Sequence, residues 1–296
     1  MNLRKLMLIS ISIYILIIFT DLNDIVYAKV NSVKNDIKNV NSSLELSNYK
    51  VSIEAKEIKS IKDNLSGITY CKETNTLFAI TNSPRNIYEL TLDGEILRKI
   101  ELIGFSDTEG ISYLYDNLFA IVDEKNQQIY TFPINKDTKK IDIFHLRDVF
   151  TLKINTYENF GYEGVSYNKK DDILFIVNEK FPSELIKVKN LITKKNMNIS
   201  FGDGKTVFNN FMGDFSGIYF DSKSEDLLFL SDESKMIAQI DQNGTQLSFI
   251  QLEKGFLGLK KDIPQAEGIT MDKDDTLYIV SEPNLFYSFK KEKLKL

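Results

Sequence analysis

The chain has 296 residues, 43% apolar and 27% charged, a balance that supports one large globular core. A net charge of −5 argues against a binder needing a basic face, so no nucleic-acid partner is expected. With Cys71 and His145 the only residues of their types, an intrachain disulfide, a cysteine cluster and a multi-histidine zinc site are excluded.

Residues 1–28 read as an export signal. Arg4 and Lys5 precede an uncharged run from 6 to 19, and Val26-Tyr27-Ala28 has the small-residue pattern of a cleavage site. As a helix the run spans about 21 Å, short for a bilayer core of roughly 30 Å. This favours cleavage after Ala28. The alternative is an uncleaved anchor, since Asp21 and Asp24 are unusual so near a cleavage point. Either way the chain is expected outside the cytoplasm, released or tethered to the membrane by that segment alone. Residues 29–48, rich in Asn, Ser and Lys, read as a polar linker, and 49–296 as one domain.

From Tyr49 the pattern changes. Residues 50–58 alternate as one strand, and a longer pattern then occurs five times: 65–83 (LSGITYCKETNTLFAITNS), 108–124 (TEGISYLYDNLFAIVDE), 162–179, 215–233 and 266–282. Each copy has Ser or Glu before a glycine, a short apolar run, a polar turn, a second apolar run and a polar end. The glycines are Gly67, Gly110, Gly164, Gly217 and Gly268, spaced by roughly 50 residues, as in the blades of a β-propeller. Third strands are expected at 87–92, 129–134, 185–188, 237–240 and 285–289. Fourth strands are expected at 96–102, 141–146 and 247–252, with Asp93-Gly94 and Asn243-Gly244 as hairpin turns. The last copy lacks a fourth strand, which the strand at 50–58 supplies, joining the chain ends and removing exposed edges. The prediction is an all-β propeller of five blades of four antiparallel strands. Six blades is the alternative if 189–211 hides a degenerate one.

In such a blade the start of strand one and the end of strand two share one face. Strand one opens at Ser66, Glu109, Glu163, Ser216 and Glu267. Strand two closes at Ser83, Glu124, Glu179, Glu233 and Glu282, preceded by Asn82, Asp123, Asn178, Asp232 and Ser281. One mouth of a central channel is therefore expected to be acidic. The glycine is explained by close packing at the axis; the acid before it is not. Carboxylates crowded in a narrow channel repel one another, and a cation relieves them, with oxygen-only ligands favouring calcium or magnesium. The expected ligands are Glu109, Glu163 and Glu267, with Glu179 and Glu282 near. The competing reading is a hydrated acidic rim.

Other features carry less. Cys71 follows a strand at a hairpin turn, and His145 falls in an expected outer strand. Asp272, Asp274 and Asp275 resemble a calcium loop, but Leu277 stands where the helix-loop-helix type requires glycine, and an ordinary turn on the opposite face is expected.

The stretches at 65–67, 108–110 and 162–164, and above all IPQAEGITMDKDDTLYIVSEPNLFYSF (263–289), resemble the SdiA-regulated family of exported bacterial propeller proteins. The resemblance spans 64–289. It implies a phytase-like or strictosidine-synthase-like propeller, associated with calcium, behind a signal or anchor segment. Ser66 and Ser216 depart from a fully acidic ring. Two kinds of function follow. One is a calcium-binding module that engages a small molecule or protein at the channel mouth of a monomer. The other is a calcium-dependent hydrolase of a phosphate ester or lactone, for which Arg85, Lys125, Lys180 and Lys235 are the nearby cations.

Overall fold

The computed structural model describes Val26, Lys29, Val30 and residues 44–146, 148–153, 161–179, 183–202 and 212–292. Nearly all of the expected export segment, and the linker between 31 and 43, lie outside these residues.

Five four-stranded antiparallel units follow one another along the chain. Blade 1 comprises Leu65–Cys71, Thr76–Asn82, Arg85–Leu90 and Ile96–Ile103. Blade 2 comprises Thr108–Tyr115, Leu118–Asp123, Gln128–Pro133 and Asp148–Thr151. Blade 3 is formed by Tyr162–Asn168, Ile173–Asn178, Glu184–Lys189 and Asn198–Phe201, and blade 4 by Gly217–Asp221, Asp226–Ser231, Met236–Ile240 and Gln246–Gln251. Blade 5 takes Ala266–Met271, Leu277–Ser281 and Leu285–Lys291 from the end of the chain and Tyr49–Glu57 from its beginning. That N-terminal strand pairs antiparallel with Leu285–Lys291, from Tyr49 opposite Lys291 to Glu57 opposite Leu285. The protein is a five-bladed propeller closed by its N-terminal strand.

The second strands read as unbroken apolar runs because both of their faces are buried. In blade 1, Phe78 and Ile80 pack toward blade 2, whereas Leu77 and Ala79 pack toward blade 5. The core is thus five wedges, one in each gap between blades. Burying a side chain of this size contributes about 1.5–3 kcal/mol, so each blade depends on both neighbours. The innermost strands of successive blades touch in a closed ring.

Three details differ from the sequence reading. The expected fourth strand of blade 2 at 141–146 is divided. Lys140–Asp142 joins the edge of blade 1 in parallel, with Leu102 opposite Ile141, and Ile143–His145 forms a 3-10 turn. The Asp142 carboxylate accepts the Phe144 N–H, which turns the chain out of extended geometry, and Asp148–Thr151 then completes blade 2. His145 accordingly sits on an exposed turn beside Asp142, 3.4 Å away, and not in a strand. The linker ends before residue 49: Leu46 is fully buried in the wedge between blades 4 and 5, and the Leu44 N–H donates to Gln239.

Candidate functional site

The glycine of each repeat is the point of closest approach around the axis. A Cβ on Gly110 would stand 2.6 Å from the Glu163 carbonyl oxygen, and one on Gly67 2.6 Å from that of Glu109. On Gly268 it would meet Gly67 Cα at 2.9 Å, which closes the circle from blade 5 to blade 1. Backbone packed on backbone leaves no room for even a methyl group.

The residue before the glycine is displaced by the same geometry. Tyr162 pairs with Asn178 and Gly164 with Val177, so Glu163 is the extra residue of a β-bulge. Glu267 stands likewise between Ala266 and Gly268, Ser66 between Leu65 and Gly67, and the register of blade 2 slips between Thr108 and Ile111, around Glu109. A bulge re-aims a side chain that regular pleating would send between blades.

The three glutamates meet in one cavity of about 300 Å³, which Ser66 does not line. Glu109, Glu163, Glu267, Glu179 and Glu282 all line it, together with Glu124, Ser216, Asp232 and Glu233. Asn82 stands at its side, its amide donating to Glu109 at 2.8 Å. Asp123, Asn178 and Ser281 are buried and do not line the cavity. Asp123 accepts the N–H groups of Ser106, Asp107 and Asn126, so it fastens a loop. Ser281 donates to the Pro264 carbonyl and Ser66 to that of Asn64. Ser216 donates to the Ala266 carbonyl at 2.6 Å, which seats blade 4 against blade 5.

Four of these glutamates, joined by Asp107, form two close groups. In each of Asp107–Glu109–Glu124 and Glu124–Glu163–Glu179, one oxygen per residue lies within 4.8 Å of the others. Glu124 belongs to both, and its Oε1 accepts the Gly161 N–H at 2.9 Å. Glu267 and Glu282 share the cavity without joining either group. Sequence reasoning missed Asp107, Asp214 and Gln265. They stand two residues before the bulge, where the other repeats have Asn64 and Gly161. Oxygen-bearing side chains at four of those five positions were the available signal.

Burial, with crowding added to it, raises the affinity of these acids for protons. Burial, reinforced by Glu109, Glu124, Glu267 and Glu179, pushes Glu163 well above the carboxylate range. Burial likewise pushes Glu109 up to about 8, Glu267 to about 9 and Glu124 to about 7, with neighbouring carboxylates adding to each. Among the described residues, no ion pair or hydrogen bond reaches Glu163 or Glu267, and Lys235 pairs with Asp232.

A family model described as SdiA-regulated matches residues 41–290. The chain belongs to the SdiA-regulated family. Among solved structures, this SdiA-regulated chain is similar to one in a nidogen/laminin complex, at 13% identity over 74% of this chain and 73% of that one, with a TM-score of 0.46. It is also similar to virginiamycin B lyase from Staphylococcus aureus (14% identity, 79% and 68% coverage, TM-score 0.44). A streptogramin B lyase follows (17%, 77% and 65%, TM-score 0.43). Likeness at this level says nothing about the site.

Proposed function

We propose that this SdiA-regulated propeller is an exported protein of the cell envelope whose acidic mouth binds calcium, and that the bound ion engages a small-molecule or protein partner. The observation that carries this reading is Glu163. It is held on a bulge among four other glutamates, with no cation from the described residues beside it. Ligands of one calcium ion lie about 2.3–2.6 Å from it, and hence no more than about 5 Å from one another. Both carboxylate groups meet that limit, and their donors are hard oxygens. The ion would be held chiefly by Glu124, Glu163 and Glu179, with Asp107 and Glu109 adjacent and Glu267 and Glu282 completing the charge of the wall.

Binding is favoured over hydrolysis because two of the cations expected to hold a phosphate, Arg85 and Lys235, are otherwise engaged, while Lys125 is exposed. Arg85 donates to the Ser106 carbonyl at 2.5 Å, and Lys235 is paired with Asp232. Lys180 lies outside the described residues.

A ligand that binds only the folded state stabilises it by RT ln(1 + [L]/Kd), so calcium should raise the melting temperature. The rise should be strongly reduced in Glu163→Gln and persist in Glu101→Gln, whose side chain is exposed on the outer strand of blade 1. Equal shifts in the two variants would place the ion elsewhere.

A further inference from the structure

The channel has a second mouth, and its chemistry is different. Below the glycine ring the five inner strands present Ile68, Ile111, Val165, Ile218 and Ile269. These floor a separate cavity of about 280 Å³, which has no lining residue in common with the acidic one. Next along the strands come Thr69, Ser112, Ser166 and Thr270. Three of their hydroxyl oxygens accept a backbone N–H of the neighbouring inner strand: Thr270 from Tyr70, Thr69 from Tyr113, and Ser166 from Phe220. Each such hydroxyl keeps its own hydrogen to donate.

Above this layer stand tyrosine rings with fixed orientation. Tyr70 and Tyr167 both line the cavity, and the Tyr70 hydroxyl donates to Asn75 and that of Tyr167 to Asp172, which holds both side chains in place. Lys72, Lys169 and Lys273 stand at equivalent repeat positions on the rim, and Lys223 lies beside them.

Two aspartates also line this mouth, but their oxygens are taken up by their own turns. Asp221 accepts from Ser224 N–H and Oγ–H and from Lys223 N–H. Asp272 accepts from the Asp274 and Thr276 N–H groups and from the Tyr278 hydroxyl. The lysines are less committed. Lys223 is paired with Asp275, Lys72 reaches Glu73 only at 4.0 Å, and Lys169 lies over the Tyr115 ring.

We infer that this second mouth binds a small organic anion with a flat apolar body: the body rests on the isoleucine floor between the tyrosine rings, and the carboxylate meets the lysine rim and the hydroxyl layer. Pockets for small ligands are mainly apolar with a few placed polar groups, and this cavity, at about 280 Å³, is just below their range of about 300–1,000 Å³, which suits a small ligand. The inference is independent of calcium at the acidic mouth.

The test uses three probes on the whole protein, followed by calorimetry and by ligand-observed NMR. Benzoate is the flat anion, benzamide its neutral counterpart, and inorganic phosphate an anion with no apolar body. Benzoate should bind saturably in the millimolar range, with benzamide and phosphate each weaker by about tenfold or more. The combined Lys72→Gln, Lys169→Gln, Lys273→Gln variant should lose about tenfold for benzoate. These side chains are exposed, so the variant should keep the parent melting profile. Glu163→Gln, at the other mouth, should leave benzoate binding unchanged. Absence of saturable benzoate binding, equal affinity for benzamide or phosphate, or indifference to the lysine changes would each overturn the inference.

Discussion

The same innermost strands end in acids at both mouths of the channel, and the two sets of acids do different work. At the far mouth, Asp221 and Asp272 accept backbone N–H groups from their own hairpin turns, as Asn168 does from Lys170 and Asp171. At the near mouth, Glu163 and Glu267 sit on bulges and face other carboxylates. An acid whose oxygens are filled by the backbone is a structural group whose charge is already compensated. One left facing its own kind carries an electrostatic cost that a ligand can relieve. The difference lies in position relative to the glycine, not in residue type.

The contrast depends on the ring holding its shape, so the largest effect should come from opening it. Removing Tyr49–Glu57 strips blade 5 of its outer strand and bares the edge of Leu285–Lys291. The expected outcome is loss of the folded protein and aggregation through that edge, read by size-exclusion chromatography and circular dichroism. Next comes Gly110→Ala. The new methyl must displace the backbone of Glu163, which should cost about 3 kcal/mol in denaturant unfolding. It should also disturb cation binding, because the bulge that aims Glu163 would move.

A smaller effect separates the two classes of acid directly. In metal-free protein the near-mouth glutamates bind protons more tightly when folded than when unfolded, where their pKa is near 4.5. Below that value both states are protonated and nothing distinguishes them. As pH rises from about 4.5 toward 9, the unfolded chain ionises first, so folding stability should fall across that window. The melting temperature of chelator-treated protein should therefore be lower at pH 8 than at pH 5.5, and added calcium should recover more of it at pH 8. Glu163→Gln should raise the metal-free stability at pH 8, by about 1 kcal/mol. Asp272→Asn at the far mouth should do the reverse. It weakens the turn by about 1 kcal/mol, read by the same melts, and leaves the response to calcium intact.

The fold was legible in the sequence because its two determinants repeat. Glycine recurs where backbones touch, as at Gly67 and Gly110, and second strands buried on both faces give runs such as LFAI at 77–80. The outer strands were less legible, since they meet solvent and obey weaker constraints. IDIFHL at 141–146 looks like a strand, yet Asp142 caps a turn and Ile141 goes to the edge of blade 1. The acidic mouth was legible as a whole, but not its subdivision. Repeat position predicts which side chains face the axis; it does not say that Glu124 lies between two groups of carboxylates. Nor does it say that Asp123 is occupied by the N–H groups of Ser106 and Asp107. Those facts depend on loops that differ from blade to blade.

The central claim is that acids facing one another at the near mouth hold a cation. Calorimetric titration of calcium into chelator-treated protein at pH 8 tests it most directly, with Glu163→Gln and Glu101→Gln run alongside. The account predicts saturable binding to wild type and to Glu101→Gln, strongly weakened in Glu163→Gln. Absence of binding at millimolar calcium, with no accompanying thermal shift, would contradict it.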